Sequence, residues 1–214
     1  AFAGRTDFAL LWIELLLAGS DPAQLMSAIE SLRALRPGPD ASSHAERVLW
    51  LASRACASPD LSEVDRATLW ATTTSAWSPD RAGRAHYELA RARRAVGDST
   101  GALDAMRTAM RDERLARTAE ARLLLAECLI GIDDPAGAMS TLRALAPALD
   151  PRAADPDARE AYWRCWTLML EILSREPTQA RRDAIAAHAE RLRSIDPDLG
   201  GEPWRSRIVA ALRP

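Results

Sequence analysis

No lysine occurs anywhere in the 214 residues, and all 28 basic residues are arginine. This excludes a lysine nucleophile, a Schiff base and a phosphate loop closed by lysine. A GC-rich codon bias, which favours Ala, Arg, Gly and Pro at the expense of Lys, accounts for the absence. Cysteine and histidine are scarce as well. Cys56, Cys128 and Cys165 are too few and too far apart for a disulfide framework, and with His44, His86 and His188 they form no CxxC or HxxxH spacing that suits zinc. No metal and no cofactor is therefore expected. GxSxG, HExxH, GxGxxG and GxxxxGKS are all missing.

Long apolar runs are missing too. The most apolar stretch, Phe8 to Ala18, is about half the length that spans a bilayer and carries Glu14 in its middle, so no membrane span is expected. Asp7 and Glu14 also spoil this stretch as a signal peptide. The first residue, Ala1 rather than Met, is read as the mark of a piece processed or excised from a longer chain. A cytoplasmic location is expected, or a periplasmic one if an N-terminal signal has been removed. The formal charge is only -2, which argues against nucleic acid as a partner, since a basic domain is the usual footprint of such a binder.

What is abundant favours helix. There are 43 alanines beside many leucines and arginines, the strongest intrinsic helix formers, and strand formers are few. Gly and Pro are confined to short clusters that cut the chain into pieces of helical length. Asp21-Pro22, Asp134-Pro135 and Asp155-Pro156 pair a capping carboxylate with proline at the first helical position, and Gly19, Gly97 and Gly131 stand where helices end. Apolar residues recur at three and four between the breaks. Eleven helices and no strand are predicted, over 6–18, 22–36, 43–57, 62–76, 80–96, 99–112, 117–131, 134–149, 157–175, 178–195 and 203–212.

The odd-numbered helices start near 6, 43, 80, 117 and 157, a period of about 37 residues that spans one helical hairpin. The second helices share a phrase: Ala28-Ile29-x-x-Leu32-Arg33, Ala102-Leu103-x-x-Met106-Arg107 and Ala138-Met139-x-x-Leu142-Arg143. Degenerate copies lie at Ala67-x-Leu69-Trp70 and Ala184-Ile185. The first helices repeat Leu51-Ala52, Leu89-Ala90 and Leu125-Ala126 at nearly the same step.

The segment His86 to Ala109 resembles a tetratricopeptide repeat. Leu89-Ala90, Gly97-Asp98, Ala102 and Ala109 match the family's small and large positions in order, and Gly131, Asp133-Asp134, Ala138 and Pro151 echo the plan. Two features depart from it: His86 and Arg93 replace the family's tryptophan and tyrosine, and the period exceeds the family's length of about 34 residues. The resemblance implies an all-α, right-handed α-solenoid of about five antiparallel hairpins with a short C-terminal capping helix. It also implies one domain over 1–214, with 80–150 as its best-matching repeats, since a hairpin cannot bury both faces alone and successive hairpins stack. The function that goes with this plan is a non-enzymatic scaffold that binds a protein or peptide in a concave groove. A sensory domain of a regulator and a helical enzyme with a concave-face site are the other readings.

Charge is distributed unevenly. Residues 1–80 carry -4, 81–122 carry +4 and 123–214 carry -2. The groove-facing positions of the central repeat are expected to be Arg84, Tyr87, Arg91 and Arg94, spaced three, four and three apart. Arginine's planar fork suits carboxylate, so an acidic peptide or a free C-terminus is the expected ligand, against a solvated helix face paired with its acidic neighbours. Nucleic acid is a poor rival because no interleaved aromatics provide a stacking platform. Of the seven tryptophans, Trp12, Trp50, Trp70, Trp77, Trp163 and Trp166 lie in helical segments and are read as core packing or, less readily, as a partner's hot spot. Trp204 is expected to plug the C-terminal cap. Asp133-Asp134 and Asp150, Asp155 and Asp157 are read as helix caps, and the three cysteines as small buried hydrophobes.

Overall fold

The computed structural model describes residues 6–19, 21–37, 41–77, 83–175 and 178–212, and among them every regular element is helical. In order these are α1 (Thr6–Ala18), α2 (Pro22–Ala34), α3 (Ala41–Cys56), α4 (Glu63–Trp77), α5 (Gly83–Ala95), α6 (Ser99–Ala109), α7 (Glu113–Ala116), α8 (Ala119–Gly131), α9 (Pro135–Leu145), α10 (Pro156–Ser174), α11 (Gln179–Ile195) and α12 (Trp204–Ala211). The protein is all-α, as its composition predicts. The predicted break over Ser78–Asp80 and the predicted start of the fifth helix at 80–82 lie outside the described residues, as do parts of the breaks at 37–43 and 176–178.

Capping residues explain most helix starts. Asp21 accepts from the Ala23 amide, Asp98 from Gly101, Asp134 from Gly137 and Asp155 from Asp157, each satisfying an orphan donor of the first turn. Thr118 and Thr178 do the same for α8 and α11. One predicted break is itself helical. Over Asp112 to Ala116 the Asp112 carboxylate accepts from the amides of Arg114 and Leu115, so the segment winds into the single turn α7 and buries Leu115.

The chain divides into two compact units, residues 1–115 and 116–214. In the first, α1 packs on α2 and α3, α2 on α3 and α4, α3 on α4, α4 on α5, and α5 on α6. Each of α1 and α2 therefore touches its neighbour in sequence and the helix after that. In the second unit α8 packs on α9 and α10, and α10 receives α9, α11 and α12 as well. α10 is its central element: nine of its residues from Tyr162 to Ile172 are buried.

The repeat phrases fall in these cores. Ala28, Ala102 and Ala138 are fully buried, with Ile29, Leu103, Met139, Leu32, Met106 and Leu142 beside them. A methyl where helices cross lets two backbones approach, and the larger chain fills the adjoining groove. Gly83 makes a similar approach at the start of α5, where an added Cβ would lie 2.5 Å from the Asp112 Cβ. In the second unit Gly200 (φ +80°) turns the chain against Trp163, so that a Cβ there would meet the indole at 2.4 Å. Trp204 is buried as well. Trp70, Trp77, Trp163 and Trp166 are buried too, whereas Trp12 and Trp50 are exposed and do not pack in the core.

Candidate functional site

α5 is the arginine-rich element. Gly83, Ala85, Tyr87, Leu89, Ala90 and Ala92 are buried, which leaves a narrow outer strip through Arg84, Glu88 and Arg91. On that strip Arg84 Nη2 lies 2.8 Å from Glu88 Oε1, and Arg91 Nη1 donates to Glu88 Oε2 at 3.1 Å. The guanidinium of Arg84 also lies 4.8 Å from the centre of the Tyr87 ring. Arg94 is exposed near the end of the helix, and Arg93 turns away, donating from Nη1 to the Gly101 carbonyl at 3.0 Å with Asp98 close to its Nε.

Of the four expected groove residues, Arg84, Arg91 and Arg94 therefore reach the surface. Tyr87 does not: at 2% exposure its ring lies in the core with the guanidinium of Arg84 nearby, because its position on the wheel turns toward the packed neighbours. Glu88 was missed, although the signal was local. It stands four residues after Arg84 and three before Arg91, the spacing at which helical side chains pair. Within its own sequence α5 holds four arginines against this one carboxylate.

A second set of ionic contacts joins helices across 32 to 37 residues of sequence. Glu14 of α1 accepts from Arg47 of α3 at 2.5 Å. In the other unit Glu127 of α8 accepts from Arg164 of α10 at 2.7 Å, and Glu171 of α10 takes a two-pronged contact from Arg207 of α12 at 2.8 and 2.9 Å. The Glu171 hydrogen bonds raise the pKa of Arg207 above its ordinary value, and the Glu127 charge adds to that. Arg33 of α2 reaches Asp65 of α4 at 3.2 Å, and Asp65 is held below the usual carboxylate range first by Ser62 and then by Arg33.

His188 packs on Trp166, with centroids 5.1 Å apart, and its pKa is lowered first by burial and then by the charges of Arg191 and Arg143. His44 lies 3.7 Å from Asp7. Burial pushes the thiols of Cys56 and Cys165 up to about 12, so both are protonated and poorly nucleophilic at neutral pH. Among the described residues no group of three or more His, Cys, Asp and Glu is placed to hold a metal, and no helix is long and apolar enough to cross a membrane. Compared with protein-family models and with curated proteins, the chain matches none.

Proposed function

We propose that the chain is a non-enzymatic interaction module, built from stacked helical hairpins on a plan like the tetratricopeptide repeat, that holds an acidic peptide segment or a free C-terminal carboxylate against the outer strip of α5. The observation that carries this reading is the charge on that helix. The helix carries four arginines and one carboxylate, and Arg84, Arg91 and Arg94 are exposed along its outer strip. Arg91 meets Glu88 through Nη1, and the planar fork of a guanidinium can take a ligand carboxylate on its other edge. Tyr87 supports Arg84 from below instead of touching the ligand. The contacts of α1 with α3, of α2 with α4 and of α8 with α10 support the stacked-hairpin part of the proposal.

The test is a fluorescence-polarisation titration with a labelled decapeptide of Asp and Glu ending in a free carboxylate, its C-terminally amidated form, and an all-Lys decapeptide. The acidic peptide is expected to bind, more weakly as salt is raised, and Arg91→Glu/Arg94→Glu should weaken it at least tenfold without changing the helical circular dichroism. Equal binding of the acidic and basic peptides, or unchanged affinity in the double variant, overturns the proposal.

A further inference from the structure

α1 is apolar on two opposite faces. Leu10 and Ile13 are fully buried against the neighbouring helices, while Phe8, Leu11, Trp12 and Leu15 form a ridge on the other side and are 48, 54, 57 and 64% exposed. Their spacing of three, one and three residues places them on a single stripe. A helix that is hydrophobic all round belongs in an interior, and among the described helices the main contacts of α1 are with α2 and α3. The ridge, with Ala9 and with Ser31 of α2, lines an open groove of about 560 Å³. Its acids, Asp7 and Glu14, lie together along one edge; Glu14 pairs with Arg47 at 2.5 Å, and Asp7 lies 3.7 Å from His44.

We infer that this ridge is a self-association surface that pairs with α1 of a second copy about a two-fold axis. The stripe is complementary to its own reverse. Set antiparallel and centred between Leu11 and Trp12, it brings Phe8 against Leu15 of the second copy and Leu11 against Trp12, so every aromatic ring meets a leucine, and symmetry repeats each contact. The area fits a weak dimer. The four side chains expose about 450 Å² per copy, so two copies remove about 900 Å² from water. Ala9 and Ser31 bring the total to the roughly 1,000 Å² at which specific interfaces begin. Because Glu14 already faces Arg47, joining the two edges does not set an unneutralised Glu14 against its like. A bilayer suits the ridge less well, since α1 carries no basic residue to meet anionic headgroups.

Sedimentation velocity of the whole chain between 1 and 200 μM is the test. A reversible shift from 23.4 kDa to twice that mass is expected, with a midpoint in the micromolar range. Leu11→Arg and, separately, Leu15→Asp should each weaken the association about a hundredfold, since every substitution enters the symmetric interface twice. Val209→Asp, on α12, should leave it unchanged. Circular dichroism tells a folded monomer from a damaged chain, and Leu15→Gln, a milder change, serves if either charged variant loses helix. A monomer at 200 μM, including one that co-sediments with phosphatidylcholine vesicles, overturns the inference. So does a dimer that the Leu11 and Leu15 substitutions leave intact.

Discussion

Removing the guanidinium of Arg164 while leaving Glu127 charged isolates what one inter-helix ion pair contributes. The Glu127 side chain is only 6% exposed, and Arg164 supplies both Nε and Nη2 to its Oε1 at 2.7 Å. Breaking a fully buried pair by deleting one partner costs about 3–5 kcal/mol, because the surviving charge is stranded away from water. Here the cost is smaller for two reasons. Arg164 itself is 26% exposed, so solvent reaches the vacated place, and the positive charge of Arg207 also acts on Glu127. Arg164→Met, which keeps most of the volume, is therefore expected to lose about 2 kcal/mol. With a urea slope of about 2 kcal/mol/M this moves the unfolding midpoint down by about 1 M. The transition can be followed by the fluorescence of Trp163, Trp166 and Trp204 in the same unit. Adding Glu127→Gln removes the stranded charge and should restore at least half of the loss. A double variant as unstable as the single refutes the stranded-charge argument, and a single-variant shift below about 0.3 M would put the pair among ordinary surface contacts.

Gly200→Ala should cost about 2–4 kcal/mol, because the residue has φ +80° and its new Cβ would strike the Trp163 ring. Gly97→Ala has a similar φ of +83° in open space, so it should cost only about 1 kcal/mol; equal midpoints in urea would show that the ring contact contributes nothing. His188 is held below its unfolded value of about 6.5. As pH falls through that value the unfolded chain takes up a proton that the folded one resists, so stability declines from there down to the folded pKa and is fully retained above pH 6.5. His188→Gln should flatten the stability profile between pH 7.5 and 5, and an unchanged profile would exclude His188 as its source.

Helix ends were legible because this sequence marks them with proline, glycine and capping carboxylates. Asp134-Pro135 and Asp155-Pro156 start α9 and α10 within one residue of the expected positions. The inner face of each repeat was legible too, since a buried alanine at a fixed period has few explanations besides close packing. The second apolar face of α1 was not. Periodicity reports which residues are apolar, but whether a stripe is covered depends on what stacks against it, and among the described helices α1 meets α2 and α3 chiefly through the face of Leu10 and Ile13. Tyr87 failed for a related reason: it shares a stripe with arginines yet turns inward, because α5 is enclosed on nearly all sides and leaves only a strip open. The ion pairs from helix to helix lay beyond local spacing rules. Their partners are 33, 37 and 36 residues apart, and they emerge only when the repeat period is applied to each acid of a first helix.

The absence of lysine acquires a structural side from these contacts. A codon bias can supply arginine, but the fold uses the shape of the guanidinium. Arg207 spans both oxygens of Glu171 with parallel donors from two nitrogens, a geometry that a single ammonium lacks. Elsewhere arginines reach carbonyls left open where helices end, which glycine-led C-terminal motifs often satisfy. Arg66, at the start of α4, donates from Nε to the Cys56 carbonyl at 3.0 Å and from Nη2 to the Ser58 carbonyl at 2.7 Å, and its Nη1 still pairs with Glu63. One side chain thereby closes the end of α3, the turn and the start of α4. Arg159 of α10 ties down the loop before that helix, donating to the carbonyls of Ala153 and Ala154, and Arg54 of α3 reaches the Leu17 carbonyl at the end of α1. Lysine at these places would offer one rotating point charge where the guanidinium offers donors fixed in a plane. The inter-helix turns therefore depend on arginine geometry as well as on charge.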